Sequence, residues 1–331
     1  MRIKETEAGL DLKLFQSRVA LDVAVYKKIT IDQIISVQTS DASGFTSTLI
    51  NSGESQNRGF EGLFTVIPIQ SKSFRWDFTA NTAYNKTKVD KIATDKPGEK
   101  FTTGTHPFNG EVRVVVGEEM GQIAGYGYAR DAKGQMIFQS NGLPLRTPDL
   151  ILFGSGLPKW TGGFMNDFNF KGIDMTVLVD YKLGNKMLSG TNFNAVRHGL
   201  HKMTLEGRET GFVTGEGVNQ AGQPNTAKQA VQTYWEHLRS QQIVEPIIYN
   251  GGFWKLRQIS LGYDFTRFFH TKSPIKGLKL NLVSYNVAIL KKWVDNIDPE
   301  TVGYGVDSMV GLESPGVPTT RSFGANLNIK F

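Results

Sequence analysis

The sequence contains no cysteine among its 331 residues. This absence excludes disulfide scaffolds, cysteine-ligated zinc sites and cysteine nucleophiles. Long apolar runs are also missing, since no window approaches the roughly 20 apolar residues that a membrane-spanning helix needs. The first residues, MRIKETEAGLDLKLF, lack the apolar run of a secretory signal. A helical membrane protein is therefore excluded, and we expect a chain that stays in the cytoplasm or is a piece of something larger.

Clusters of like charge and catalytic motifs are also largely missing from the sequence. The net charge is +6, but Lys and Arg are scattered among nearly as many acids, without the basic stripe of a nucleic-acid surface. The glycines of Gly125–Gly127 and Gly154–Gly156 lack the context of a dinucleotide loop. His198 and His201 could bind a metal with nearby glutamates, but polar surface is the more common role of such loop residues. We predict no enzyme, no catalytic or metal-binding residues, no cofactor and no nucleic-acid partner.

What the sequence does contain is apolar and polar residues in alternation, in segments of about ten residues. In the last segment Phe323, Leu327 and Phe331 share a face, and Asn326 and Lys330 lie on the other. About nine strands are predicted in this way, around Leu10–Leu14, Leu21–Val25, Phe60–Pro68, Phe74–Asn85, Trp160–Phe170, Ile173–Leu183, Ile259–Phe265, Leu278–Tyr285 and Phe323–Phe331.

The connections between these strands alternate strictly between short and long. The short ones are Phe15–Ser17, Gln70–Ser73, Lys171–Gly172 and the somewhat longer Thr266–Ile275, and the long ones are Ile29–Ser55, Lys86–Lys159, Asn185–Gly252 and Leu290–Thr320. Alternate connections of an up-and-down barrel emerge on the same rim, and outer-membrane barrels have short periplasmic turns and long extracellular loops. The pattern therefore predicts an all-β, antiparallel, up-and-down transmembrane β-barrel.

Charge and aromatic residues follow the same two faces. The apolar faces are free of charge, as lipid requires, whereas the opposite faces carry Asp11, Lys13, Asp22, Arg75, Asp77, Asp174, Asp180, Asp264, Lys279 and Lys330. Aromatic residues collect near strand ends, as in interfacial girdles. One loop segment differs, because Thr226–Gln241 is predicted to be a helix capped by Asn225 that lies across the extracellular mouth.

Several segments together resemble the SusC/RagA group of TonB-linked outer-membrane transporters. NRGFEGLFTVIPI (Asn57–Ile69) with FRWDFTANTAYNKTKV (Phe74–Val89) resembles the hallmark strand pair of that family. Later landmarks follow in the order of the family: Gly125–Gln135, Leu157–Gly172, Gly199–Glu209, Phe253–Phe265 and the ending NLNIKF. The resemblance implies an outer-membrane location and a 22-stranded barrel, of which residues 1–331 would be the C-terminal portion without plug domain and N-terminal strands.

The resemblance also implies a function and partners. The intact protein would import oligosaccharides or oligopeptides with a SusD-like surface lipoprotein and would be energised by the TonB complex. Two alternatives stay open, a passive outer-membrane adhesin barrel and a soluble β-rich carbohydrate-binding or hydrolytic domain. A soluble domain would pack two sheets around a dry centre, whereas the barrel has one wall with lipid outside and water inside.

A few individual residues are candidates for specific roles. Phe331 resembles the terminal aromatic residue that the barrel-assembly machinery reads. Loop aromatics that could contact ligand or partner are Tyr126, Tyr128, Trp235, Phe253 and Trp254, with packing between loops as the equally good alternative. Asp295, Asp298 and Glu300 offer oxygen ligands for Ca²⁺, but the spacing of an EF-hand is missing. Whether they bind calcium is left open.

Overall fold

The computed structural model describes residues 1–38, 42, 44, 47–106, 110–269, 274–301 and 307–331. Its strands are β1 (Arg2–Leu14), β2 (Val19–Gln38), β3 (Ser47–Gln70), β4 (Phe74–Lys91), β5 (Lys100–Thr105), β6 (Glu111–Val115), β7 (Gln122–Gly125), β8 (Ile137–Phe138), β9 (Ile151–Ser155), β10 (Trp160–Phe170), β11 (Ile173–Leu183), β12 (Lys186–Ser189), β13 (Phe212–Val213), β14 (Val218–Asn219), β15 (Gln229–Ala230), β16 (Ile248–Asp264), β17 (Gly277–Trp293), β18 (Leu312–Glu313) and β19 (Ser322–Lys330). The α-helices are α1 (Gly190–Arg197) and α2 (Val231–Ser240), and short 3-10 helices cover Lys202–Leu205, Glu245–Ile247, Thr266–Phe268 and Asp307–Met309. Among these described segments, no helix is long and apolar enough to cross a membrane.

A single antiparallel wall carries the fold. Nine of the eleven strands in the largest sheet of the described residues form it, in the order β1, β2, β3, β4, β10, β11, β16, β17 and β19. Each wall strand pairs with the next wall strand along the chain, which is the up-and-down arrangement that the sequence predicts. The wall is open within the described residues, because β1 pairs only with β2 and β19 only with β17. The prediction of a partial barrel with about nine strands is confirmed.

The pairing register sorts the side chains of the wall into two faces. Leu21 lies opposite both Leu12 and Phe64, which places these apolar side chains in one row. On the other face Asp11 lies opposite Asp22. Within the described residues no second layer covers the apolar face, since Leu12, Leu261 and Leu282 are 36%, 50% and 52% exposed. An apolar face without a protein layer over it is what a lipid-facing wall presents and what a two-sheet sandwich would hide.

Aromatic side chains form two clusters on the apolar face, one near each end of the strands. The turn-end cluster contains Phe74, Trp76, Phe168 and Phe170, and the loop-end cluster contains Tyr84, Trp160, Phe164, Tyr181 and Trp254. From Phe74 to Tyr84 the strand rises about 33 Å, which at a tilt of roughly 40° spans about 25 Å across the membrane. This separation matches the height of the apolar band of an outer-membrane barrel.

The first long connection is shorter than the alternation indicates. Residues Ile29–Ser55 were expected to form a loop, but β2 continues to Gln38 and β3 starts at Ser47, with Gln38 opposite Ser47. The strands continue because backbone pairing satisfies hydrogen-bond donors and acceptors above the membrane as well as within it. The extension was not predicted because both faces are polar there, which weakens the alternation of apolar and polar residues.

The second and third long connections, together with β18 from the fourth, fold into a compact unit, here called the loop cap. It consists of the sheet β5–β6–β7–β9, the short strands β8, β12, β13, β14, β15 and β18, and helices α1 and α2. Its hydrophobic core contains Ile123, Phe138, Leu188, Leu238 and Ile243, none of them more than 2% exposed. Part of the fourth connection, residues 302–306, lies outside the described residues, as do residues 270–273 of the last turn.

The helix expected at Thr226–Gln241 starts later than the sequence predicts. Helix α2 begins at Val231 and its cap residue, Ala230, makes no side-chain capping bond. The residues before it are used elsewhere, because Gln229 and Ala230 pair with β13. The expected cap residue Asn225 instead donates from Nδ2 to the carbonyl oxygen of Gly215. Tertiary pairing here overrides the local helix signal.

Candidate functional site

The polar face of the wall is concave and forms the side of the barrel lumen. A cavity of about 770 Å³ lies against it, with Asp22, Glu61, Asn81, Thr161 and Asp180 among its lining residues. Carboxylates, amides and hydroxyls therefore line this face of the wall, as a water-filled lumen requires.

A cluster of buried and half-buried ions joins the lumenal face to the segment that follows β17. We call Lys255, Arg257, Asp298 and Glu300 the Lys255 cluster. The Lys255 side chain is only 3% exposed, and its Nζ lies 2.7 Å from the Asp298 carboxylate and 2.7 Å from Oε2 of Glu300. Arg257 donates to Glu300 and also to Asp180 of β11. Two wall strands and a loop are thereby held together by charge-assisted hydrogen bonds.

The protonation states of the two carboxyls follow from these contacts. Burial would by itself raise the pKa of Asp298, but hydrogen bonds from Lys255 and Thr319 outweigh it and hold the pKa below its usual value. The pKa of Glu300 is lowered in the same way, with burial opposed by hydrogen bonds from Arg257 and Lys255. Both carboxylates are thus ionised at neutral pH and bound to cations.

A β-bulge in β16 makes the Lys255 cluster possible. Leu178 lies opposite Gln258, but the next residue, Val179, lies opposite Leu256, so that Arg257 has no direct partner across the strand pair. The extra residue turns the guanidinium towards Asp180, Asn286 and Glu300. This bulge was not predicted from the sequence. Its signal is a change of phase, since apolar residues occupy even positions at Trp254 and Leu256 but odd positions from Ile259 onwards.

The three loop acids considered for calcium do not converge on one point. Asp298 and Glu300 face Lys255, while the Asp295 carboxylate lies 2.9 Å from Nζ of Lys202. Across the ranges that the structure describes, no group of three or more His, Cys, Asp or Glu side chains could hold a metal ion. The carboxylates act in this geometry as anchors for cationic side chains.

The two loop histidines also separate. His201 is buried, its Nδ1 accepts a hydrogen bond from the backbone of Met203, and its Nε2 lies 3.4 Å from the Tyr249 hydroxyl. Burial lowers the pKa of the His201 imidazole. His198 ends helix α1 and lines a different surface. The pair expected as a possible metal site is therefore a helix terminus and a buried capping residue.

The five candidate aromatics occupy quite different places. Phe253 and Trp254 were expected in a loop, but they lie in strand β16. Phe253 is 1% exposed, and Trp254 stacks on Phe164 and Tyr181 in the lipid-facing aromatic cluster. Both expectations of a loop position were wrong because the strand extends further than its alternating core.

The remaining three aromatics belong to the loop cap. Tyr126 is half-buried under the Arg146 guanidinium, which lies 4.0 Å from its ring centroid. Tyr128 packs against the cap core, and burial raises the pKa of its hydroxyl well above the usual value. Trp235 is 8% exposed but lines a surface pocket of about 440 Å³. Whether any of them touches ligand or partner stays a prediction.

That pocket is a candidate small-molecule site that was not predicted from the sequence. It is lined by Arg197 and His198 from the end of α1, Arg208 from the following loop, and Gln232, Trp235 and Glu236 from α2. Helix α1 was not predicted, and so the approach of its last turn to α2 could not be read from the sequence.

Comparison with known proteins gives the family. The model of the family described as TonB dependent receptor-like, beta-barrel, matches residues 1–287. The chain belongs to this family. Among curated relatives, TonB-dependent receptor P3 of Formosa agariphila is 24% identical over 354 residues, covering 99% of this chain and 34% of the relative. TonB-dependent receptor SusC of Bacteroides thetaiotaomicron is 22% identical over 341 residues, covering 98% and 31%.

Solved structures show the same fold. The structure of the RagAB peptide transporter superposes with a TM-score of 0.72 at 19% identity, covering 99% of this chain and 35% of the other. The chain thus spans about a third of the length of the proteins it matches. The resemblance to the SusC/RagA group is confirmed, and so are the outer-membrane location and the prediction that the chain is not an enzyme.

Proposed function

We propose that the chain forms part of the wall and the extracellular cap of an active transporter that imports oligosaccharides or oligopeptides. The observation that supports this proposal best is the folded loop cap above a polar lumenal wall, because an ordered mouth over a wet channel suits capture of a large polar solute. Residues 1–331 are proposed to be the C-terminal portion of the receptor. The open edges at β1 and β19 agree with this, since unpaired backbone groups facing lipid cost several kcal/mol each.

The energy source and the partner belong to the same proposal. We infer that the TonB complex drives uptake through the part of the receptor that carries the plug, and that a SusD-like lipoprotein closes over the loop cap. The relatives are named TonB-dependent receptors, and the solved relative is described as a peptide transporter. On the cap, Leu200, Leu205 and Phe212 are 80%, 60% and 53% exposed, and apolar side chains exposed on a folded surface favour a protein partner.

Uptake by cells tests the transport part of the proposal. Cells that produce the receptor at its natural length are given labelled oligopeptide and oligosaccharide mixtures, with and without an active TonB complex. Accumulation of one class that stops when TonB is inactivated supports the proposal and names the ligand class. Accumulation that continues without TonB contradicts it and points to a passive barrel.

Affinity purification tests the partner. Substituting Leu200, Leu205 and Phe212 by Ser is expected to reduce the amount of lipoprotein that copurifies with the receptor. The matched control is Val317→Ser, at another loop residue that is 85% exposed. Equal copurification with both variants would exclude this surface of the cap as the docking site.

A further inference from the structure

A row of cations crosses three neighbouring strands on the outward face of the wall. Lys27 of β2 lies opposite Arg58 of β3, and Arg58 lies opposite Lys86 of β4. Side chains in such positions have Cβ atoms about 4.5 to 5.5 Å apart, and like charges there destabilise a sheet. All three residues are exposed. A row of this kind is explained most simply by an anion that binds over it.

The place of the row in the membrane is fixed by the aromatic cluster beside it. Val25, Phe60 and Tyr84 form the adjacent row on the same face, and Tyr84 contacts the Trp160 ring at 4.8 Å between centroids. Aromatic girdles mark the level of the lipid headgroups. One step of two residues, about 6.6 Å along the strand, brings the cations to the headgroup region on the loop side.

Carboxylates do not neutralise most of these cations. The next row outward contains Lys4, Ile29, Gln56 and Lys88, so the two rows together hold no acid. Glu119 lies 3.0 Å from Lys86, but it also binds Lys159. Over the described ranges, Lys4, Lys27 and Arg58 make no ion pair.

Two cations on the lumenal face have carboxylate partners. Arg75 binds Asp77, and Lys279 binds Asp174. Arg58, by contrast, donates only to Oε1 of its neighbour Gln56 within the described residues, at 3.3 Å. Within the described residues, Arg58 therefore lacks a carboxylate partner on the face that meets lipid.

We propose that Lys4, Lys27 and Arg58, with Lys86 at the edge, bind the headgroup phosphates of a phosphorylated lipid in the outer leaflet. The guanidinium of Arg58 offers a fork of donors that fits two phosphate oxygens, and the lysines on either side supply point charges. This inference depends on the outer-membrane location and not on the transport activity, so that either can fail without the other.

Lipid binding to the purified receptor, at its natural length in detergent, tests the proposal. Native mass spectrometry measures the binding of a lipid with phosphate esters on its headgroup, and the same lipid without phosphate serves as the probe of specificity. The test variant is Lys27→Gln with Arg58→Gln. The control is Lys13→Gln with Lys28→Gln, which removes the same charge from the lumenal face of the first two strands. Heat-modifiable migration on gels checks that both variants fold.

The test variant is expected to lose about thirty-fold in affinity for the phosphorylated lipid, since each of the two cations near a membrane surface contributes about fivefold. The control variant and the binding of the dephosphorylated lipid are expected to stay unchanged between proteins. Equal loss in both variants, or no loss in the test variant, would overturn the proposal. Competition by inorganic phosphate at millimolar concentration would also overturn it, because the site would then bind a free ion and not a lipid.

Discussion

Replacing Lys255 by Met isolates the contribution of the Lys255 cluster. The substitution keeps most of the volume of the side chain but removes the charge that Asp298 and Glu300 share. The Lys255 and Asp298 side chains are 3% and 7% exposed, so water cannot replace the lost cation. Removing one partner of a buried ion pair costs about 3 to 5 kcal/mol. Glu300 keeps Arg257 and Asp298 keeps Thr319, which places the expected loss near the lower limit, at about 3 kcal/mol.

Limited proteolysis measures this loss where it should occur. The segment Asp295–Thr301 is attached to the wall through the cluster and through Lys292 of β17, whose Nζ donates to the carbonyl oxygen of Ile297. Its cleavage rate follows the population of the open segment when reclosing is fast. A loss of 3 kcal/mol raises that population by up to about a hundred-fold. Lys182→Met is the matched control, because Lys182 is 47% exposed and its Nζ lies 4.0 Å from Glu300. Such an exposed pair contributes less than about 1 kcal/mol.

Two results would refute the reasoning. Cleavage of Lys255→Met at the wild-type rate would mean that the cluster does not hold the segment, and an equal acceleration in Lys182→Met would mean that net charge alone matters. The double variant Lys255→Met with Asp298→Leu gives a further check. Because both buried charges are then absent, cleavage should return towards the wild-type rate.

Three other predictions follow from particular contacts. The carboxyls of Asp298 and Glu300 have lowered pKa values in the folded state. The stability that they contribute is therefore complete above about pH 5 and is lost as the pH falls through those pKa values. Proteolysis of the wild type should accelerate in acid, and proteolysis of Lys255→Met should change less with pH. Gly59→Ala should cost about 1 to 3 kcal/mol in urea unfolding, because a Cβ at Gly59 would overlap the Tyr26 ring, whereas Gly277→Ala, whose Cβ has ordinary 3.4 Å contacts, should cost little. Deleting Phe331, which lies 84% exposed at the turn end, should reduce the amount of receptor assembled in the outer membrane, as measured by heat-modifiable migration, and undiminished assembly would exclude its role as the signal.

The wall could be predicted from the sequence because lipid imposes a simple rule on it. Every second residue must be apolar over about ten positions, and the predicted strands Trp160–Phe170 and Ile173–Leu183 agree with β10 and β11 at both ends. The rule weakens above the membrane, where both faces meet water. The parts of β2 and β3 within the expected loop Ile29–Ser55 were missed for that reason.

The loop cap could not be predicted because its contacts join residues far apart in the chain. Glu313, for example, accepts hydrogen bonds from Ser189 and Thr191 at the start of α1, and His106 bonds to its backbone. No local pattern marks such partners. The bulge at Arg257 is an intermediate case, since the change of phase in β16 is visible in the sequence, but the acids that it serves lie on β11 and beyond β17.

The distribution of buried apolar residues connects the fold to its surroundings. In a water-soluble sheet protein the apolar face of the sheet would hold the core, but here Val25, Leu261 and Leu282 of the wall are 54%, 50% and 52% exposed, while the residues that are buried completely lie mainly in the cap. Hydrophobic burial by protein is needed only where water would otherwise reach the chain. Lipid covers the apolar face of the wall. The cap lies above the membrane, and its apolar side chains are therefore buried in a hydrophobic core of protein. A substitution in the cap core, such as Phe138→Ala, should therefore lower the free energy of unfolding of the cap by about 3 to 5 kcal/mol. The loss of stability caused by Leu282→Ala, in contrast, should depend on the lipid around the barrel.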